Sequence, residues 1–489
     1  MRRRRRWLPW VVVVAPVTAA LALGFWGLDR GSMWQDESVS FEVSQRTLGQ
    51  ILALLRRHDA VHGLYYLLLH GWMLPGGGEV WLRVPSVLAA GAAAGLVAAL
   101  GLRLRGARAG LFAGLLFAGL PVVSYYAQEG RSYALVGAVV LLATYALVRA
   151  VETPGRWRWP GYLAAMVFAV GLHEFALLVL PAHGLTLLLA RVGRPAGRRW
   201  LVSAGLCGLV SAPLVWLSQR QAGQVSWLTR PGAEAVVELS RWAIGGSVAG
   251  LVFGIAGLAG LAVRAAGPAR LGLAAVAAPL ALVPPAVLLA VSQIQPLYHP
   301  RYVFFSVAGI ALLAGGGLDR LAAAFDTGRG RDRLGWTAGL VVIGLVFAAQ
   351  LPAQRAARTP ESRPNDLAGV ARVVGARSLP GDGVLFMPSR YRAAALGYPG
   401  AFARVHDVSL ARTPIEAANL RGTNKTVPQT RAAMLATDRL WVVGRPGLRL
   451  RSTEAAALDQ QAVLRTEFVA VRRTRLHGME VALYLRRPR

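Results

Sequence analysis

Lysine is nearly missing from this chain: of its 54 basic residues only Lys425 is a lysine, and the rest are arginine. Cysteine is as scarce. Cys207 stands alone, which excludes an intrachain disulfide and a cysteine metal cluster, and its apolar surroundings make it a small buried hydrophobe. Charge of either sign is thin, at 16% of residues, where soluble domains carry about 25%. Acids are the scarcer sign, 24 against 54, for a formal charge of +30. That excess does not point to nucleic acid, because the arginines are scattered through loops with no basic face interleaved with aromatics. No Gly-rich phosphate loop and no internal repeat can be read in the sequence.

Apolar residues are abundant, at 55%. Stretches such as Val11–Leu28, Pro85–Leu102 and Leu271–Val291 are each long enough to cross a bilayer, at about 20 residues per helical crossing. The pattern predicts a membrane α-helical protein with about 11 transmembrane helices. They are expected near residues 8–28, 84–103, 109–127, 133–150, 160–173, 175–191, 200–218, 243–263, 271–292, 301–318 and 334–351. The first run follows Arg2–Arg6 and ends in Phe25-Trp26-Gly27-Leu28-Asp29 without a small-residue cleavage pattern, so it reads as an uncleaved span. With the N-terminus cytoplasmic, the inside loops Arg103–Arg108, Arg149–Arg158, Arg191–Arg199, Arg264–Arg270 and Arg320–Arg333 are all arginine-rich. The outside loops around Glu129, Glu174 and His299 carry at most one arginine each, as the positive-inside rule requires of a multi-pass protein of the cytoplasmic membrane.

The domain expectation is a membrane domain, 1–351, with a first outer loop at 29–83, followed by an extracytoplasmic domain, 352–489. In the outer loop, Thr47 and Gln50 form a capping box before a helix at Leu48–Arg57, and Leu64–Leu74 is apolar but too short to span. The tail reads as soluble α/β. Asp366 caps a helix to Ala376, and strands are expected at Val384–Met387, Leu440–Val443, Glu467–Val471 and Val481–Leu485.

Ionisable groups near membrane depth are functional candidates by default, and on this topology they gather at the outer face. Asp36 and Glu37 follow the first span in an extended or turn segment, where one carboxylate can act as a general base; the bland alternative is a solvated acid pair or helix cap. Glu129 and Arg131 lie between the third and fourth spans, as an interfacial ion pair or as a forked phosphate holder with its supporting acid. His299, Arg301 and Tyr302 open a late span, on the side where arginine is disfavoured unless an anion is bound there. His58, Asp59 and His62 stand at helical spacing and make possible a divalent metal site, with Glu129 as a further ligand; the alternative is a hydrogen-bonded cluster. His173-Glu174 is one more outer-face pair.

These motifs resemble the GT-C class of membrane glycosyltransferases, specifically the bacterial family 39-like group that includes protein O-mannosyltransferases and lipid A aminoarabinose transferases. The resemblance rests on Trp34-Gln35-Asp36-Glu37-Ser38, His62-Gly63-Leu64-Tyr65-Tyr66, Arg83-Val84-Pro85-Ser86, Ala127-Gln128-Glu129-Gly130-Arg131-Ser132-Tyr133 and Pro300-Arg301-Tyr302, in the family's order. It implies a GT-C bundle and a polyprenyl-phosphate sugar donor, mannose-like hexose or pentose. Transfer to a hydroxyl on a protein, lipid or glycan would be inverting. It implies Asp36 as catalytic base with Glu37 and Glu129 beside it, and Arg131, His299 and Arg301 at the donor phosphate. Asp59, His62 and Tyr302 support them, and some relatives hold a divalent metal near the Asp59–His62 and Glu129 regions. Relatives have prolines after the first-loop histidine, whereas Gly63 follows His62 here. A flippase or transporter of lipid-linked sugars is the alternative; it would place polar groups at the bilayer midplane rather than at one face.

Overall fold

The computed structural model describes residues 8–153, 155–263, 271–326, 332–447 and 455–488. The arginine clusters Arg2–Arg6 and Arg264–Arg270, and residues 327–331 of the loop Arg320–Arg333, lie outside the described residues. Two compact units form. One holds residues up to Leu28, Ala60–Tyr65 and Arg83–Ala357; the other holds Asp29–Asp59, Tyr66–Leu82 and Arg358–Arg489.

The first unit is a membrane α-helical bundle. Among the described residues, six helices are singly long and apolar enough to cross a bilayer, and two bent pairs meet the same test together. Each expected span falls on a helix or a pair of them, but two are not straight. Residues 109–127 fall on Ala107–Gly119 and Pro121–Ala127, bent by 64° where Pro121 opens the second piece. Residues 243–263 fall mostly on Ser247–Leu261, with the preceding helix Glu234–Ile244 turned from it by 95° at Gly245, whose φ of +91° suits glycine. The run at 160–191 is split as expected, into Arg158–Leu172 and Val179–Leu189, by a short 3-10 turn at Glu174–Leu178.

The helix Val307–Ala322 sits at the centre, continuing from a 3-10 segment at Pro300–Ser306. Within Pro300–Phe325, 94% of the apolar window is buried, against 17% in Arg194–Arg220. Glycine makes this possible. A Cβ on Gly317 would stand 1.7 Å from the carbonyl oxygen of Ala256, and one on Gly315 would stand 2.4 Å from the nitrogen of Ala113. The central helix therefore packs backbone to backbone against Ser247–Leu261 and Ala107–Gly119, the small-residue contact that membrane helices favour.

The second unit is α/β. Its main sheet has the order β2-β1-β5-β7-β6, built from β1 Asp382–Met387, β2 Val405–Asp407, β5 Arg439–Gly444, β6 Phe468–Leu476 and β7 Met479–Arg486; β3 Leu410–Arg412 and β4 Thr423–Asn424 pair separately. β1 pairs in parallel with β2 and β5, while β7 runs antiparallel to both β5 and β6. All of β1 is buried, as a central strand covered on both faces should be. Asp382 opens it by accepting from Trp441 Nε1 at 2.8 Å and Arg439 Nε at 2.9 Å, which satisfies a carboxylate at the sheet end. Asp366 caps Leu367–Arg377 as expected, accepting from the Gly369 amide at 2.8 Å.

Residues 29–59 and 66–82 belong to this unit. Ser32 Oγ accepts from the Ala368 amide at 2.8 Å, and the Tyr398 hydroxyl accepts from Met33 N at 3.0 Å and donates to Glu79 Oε2 at 2.7 Å. Arg46, pinned by Glu42, reaches the Asn419 carbonyl at 2.8 Å. The Thr47/Gln50 capping box opens Leu48–Leu55 as expected.

Two local expectations change here. Asp36 and Glu37 are not in an extended segment: they form the first turn of the helix Gln35–Ser44, where acids favour the positive end of the dipole. The stretch from His58 to His62 is not one helix either. Asp59 has a φ of +59°, its carboxylate accepts from the Tyr66 hydroxyl, and only Ala60–His62 make a 3-10 turn. The helical spacing on which the metal expectation rested is therefore absent.

Candidate active site

A cluster of polar side chains gathers where the first helix ends and in the connections carrying Glu129, His173 and His299. The loop after Pro121–Ala127 carries Glu129 and Arg131 and is held from two directions. Ser86 Oγ donates to the Glu129 carbonyl at 2.6 Å and lies 3.3 Å from that of Arg131. Gln128 Nε2 donates to the carbonyls of Gly24 at 2.9 Å and Trp26 at 2.8 Å, and Arg83 donates to that of Leu28 at 3.0 Å. The last carbonyls of a helix have no partner within it, and in a hydrocarbon setting each one left bare costs several kcal/mol. Side chains borrowed from elsewhere in the bundle thus finish the first helix and fix the Glu129–Arg131 loop together.

Arg131 and His62 are both buried, and Arg131 Nη2 donates to His62 Nε2. An accepting Nε2 assigns the ring proton to Nδ1, so His62 is neutral. Burial first, then the charges of Arg131 and Arg301, hold its pKa well below the ordinary histidine value. His173 lies edge-on to His62 with centroids 5.2 Å apart. It is held down in the same way, by burial and then by His62, Arg131 and Arg301. His299 is lowered to about 3, by burial and by Arg301.

Arg301 sits among rings. Its Cζ is 5.5 Å from the centroid of Tyr302, 5.8 Å from Tyr133 and 5.9 Å from Trp227. Phe175 stacks on Tyr302 at 4.8 Å and on His173 at 5.4 Å, closing the wall. Each ring-to-guanidinium contact is worth about 0.5–2 kcal/mol, and together they fix the plane of the group. The buried guanidinium of Arg131 and the half-buried one of Arg301, beside three neutral imidazoles, make a cluster of net positive potential that suits a phosphate.

The structure brings His62, Arg131, His299, Arg301 and Tyr302 into this one cluster, with Glu129 in the same loop. Asp36, Glu37 and Asp59 belong to the other unit. Phe175 and Trp227 were not among the residues singled out from the sequence. Trp227 carries one signal that was there to read, an aromatic residue in a connection between apolar runs.

The residues present do not suit a metal. The His62 nitrogen facing Arg131 already accepts from a guanidinium, and among the described residues no group of three or more His, Cys, Asp or Glu converges.

The buried histidines give stability a pH dependence. In the unfolded chain they titrate near the ordinary value of about 6.5, whereas in the fold they stay neutral far below it, so the unfolded state binds more protons and stability falls as pH drops below about 6.5. At pH 5 each fully buried histidine is expected to cost on the order of 1–2 kcal/mol. Thermal unfolding of detergent-solubilised protein from pH 7.5 to 5 should show a falling midpoint, and His173→Phe should flatten that slope. An equal slope in the variant would refute the assignment.

Comparison with known proteins agrees with this architecture. Residues 63–216 match the family model described as dolichyl-phosphate-mannose-protein mannosyltransferase. The structure resembles ArnT from Cupriavidus metallidurans in the apo state, with a TM-score of 0.63 at 17% identity, covering 96% of this chain and 97% of that one. It resembles the undecaprenyl-phosphate-bound form of ArnT equally, with a TM-score of 0.63, 16% identity and the same 96% and 97% coverage. The oligosaccharyltransferase of Archaeoglobus fulgidus matches with a TM-score of 0.52 at 11% identity, over 90% of this chain and 70% of that one. No individual curated protein sequence matches significantly. The chain has the GT-C fold, as its motifs led one to expect.

Proposed function

We propose that this protein is a GT-C membrane glycosyltransferase that moves a hexose or pentose from a polyprenyl phosphate to a hydroxyl of a protein, lipid or glycan, at the outer face of the cytoplasmic membrane. The observation that carries the reading is the pair of guanidiniums, buried Arg131 tied to His62 and half-buried Arg301 walled by Tyr133, Tyr302 and Trp227. They stand at one end of a lipid-facing bundle, where an amphiphilic phosphate can arrive from the bilayer. The ArnT structure with undecaprenyl phosphate supports the same class of donor.

In this reading Asp36 is the general base. The acceptor oxygen attacks the anomeric carbon as its proton passes to the Asp36 carboxylate. The bond from that carbon to the phosphate oxygen breaks in the same displacement, and configuration inverts. The polyprenyl phosphate leaves as an anion, so the leaving group needs positive charge rather than an acid. Arg131 and Arg301 supply it, with His299 and Tyr302 holding Arg301. Glu37 and Glu129 orient the base and the arginine loop, and Asp59 and His62 support the entry loop.

The test is reconstitution of the full chain in lipid vesicles with a panel of polyprenyl-phosphate sugars, scoring free polyprenyl phosphate and glycosylated product. The expected result is turnover with at least one donor and none with nucleotide sugars. Movement of lipid-linked sugar across the vesicle without chemical transfer would overturn the reading.

A further inference from the structure

Gln128 makes two hydrogen bonds with one amide nitrogen, and both end on the same short stretch of chain. Its Nε2 serves the carbonyls of Gly24 and Trp26, two residues apart at the exit of the first helix. The helix Glu79–Leu104 meets that exit too. Arg83, Ser86 and Val87 stand at i, i+3 and i+4, one face of Glu79–Leu104. From that face Arg83 bonds the Leu28 carbonyl and Ser86 bonds the Glu129 carbonyl. Gly24 lies so close that a Cβ there would meet Val87 Cγ1 at 2.7 Å. Gln128, Arg83 and Ser86 are all buried. They join three stretches distant in sequence: the helix exit at 24–28, the face 83–87 and the loop 128–131.

We infer that Gln128 is a positioning residue, whose paired bonds to the Gly24 and Trp26 carbonyls lock the point where the chain leaves the bundle to the loop that carries Glu129 and Arg131. This rests on the function proposed above. Arg131 is one residue past Glu129-Gly130, and Asp36 follows Leu28 by a short connection. The brace therefore ties residues 24–28, from which the chain runs on towards Asp36, to the loop that carries Glu129 and Arg131. It does so through backbone carbonyls, which no substitution at residues 24–28 can remove. Gln128 touches neither donor nor acceptor in this scheme; it acts through where it holds other groups.

The experiment compares wild type with Gln128→Met and Gln128→Glu in the full chain. Methionine keeps length and apolar bulk but removes both donors. Misplacing reacting groups by about 1 Å costs on the order of 100-fold in rate, so kcat for Gln128→Met is expected to fall about 30- to 100-fold. Undecaprenyl phosphate affinity should stay within about 3-fold, because neither guanidinium is altered. Gln128→Glu supplies one donor only while its carboxyl is protonated, so it should fall between the two and lose activity as pH rises. Hydrogen exchange over residues 22–30 should quicken in Gln128→Met. That readout and the lipid-phosphate titration need no turnover, so they score the brace even if wild type transfers no sugar, the result that would defeat the functional reading instead. Wild-type kcat with unchanged exchange in Gln128→Met would overturn the inference. So would affinity, rate and thermal midpoint falling together, which marks general damage to the fold.

Discussion

Asp36→Asn is expected to lower sugar transfer by about 1,000-fold, the upper part of the range for loss of a general base, while the protein folds and is inserted as before. Asparagine keeps the Asp36 backbone carbonyl that accepts from Ser40 Oγ at 3.1 Å. Asparagine matches the volume of aspartate and is compatible with the first turn of Gln35–Ser44, though it gives up the favourable charge at the positive end of the helix. Its amide cannot take a proton from the attacking hydroxyl. Undecaprenyl phosphate should bind as in wild type, since the residues proposed to hold it are unaltered. Single-turnover transfer with saturating donor is the measurement, and a loss smaller than about tenfold would remove Asp36 from the role of base.

The second large effect concerns the arginines. Arg301→Gln is expected to weaken undecaprenyl phosphate binding by about 10- to 100-fold, the worth of a charge-assisted hydrogen bond in a buried site. The rate should fall further than affinity alone accounts for, because charge on the leaving phosphate grows in the transition state. Arg301→Lys should rescue little. An ammonium keeps the charge, yet it cannot lie flat among Tyr302, Tyr133 and Trp227 or present a fork to the phosphate. Arg131→Gln should act similarly on binding. It also strips the His62 nitrogen of its donor, so its thermal midpoint should drop where that of Arg301→Gln holds. Lipid-phosphate titration alongside transfer assays separates these outcomes, and full rescue by lysine at position 301 would show that charge alone is being used.

Much of this was readable in the sequence because lipid imposes a simple rule. Runs of apolar residues near the thickness of a bilayer have few ways to fold, so each expected span met a helix or a bent pair. The cluster around Arg131 and Arg301 was readable for a related reason. Arginine and histidine are expensive at those depths, and their order along the chain placed them at alternate connections. What failed to show was local conformation and non-local hydrogen bonding. Asp36 and Glu37 carry a signal for a first helical turn, two acids at its start, but Trp34 before them lends no side-chain cap, so the segment reads as irregular. Asp59 adopts a positive φ that aspartate tolerates better than most residues, which breaks a spacing that looks helical on paper. The membership of residues 29–59 in the α/β unit rests on bonds such as Ser32 to Ala368 and Arg46 to Asn419, spanning over 300 residues with no periodicity to announce them. Phe175 and Trp227 reach Arg301 and its neighbours from other connections for the same reason.

The central helix Val307–Ala322 sets where this sequence is free to drift. At Gly315 and Gly317 a single added carbon would collide with the main chain of a neighbour, which cannot step aside as a side chain can. Arg194–Arg220, by contrast, turns most of its apolar surface outward, where any greasy residue serves as well as another. Two helices of similar hydropathy thus live under opposite tolerances, one an axle machined to fit and the other a replaceable outer stave.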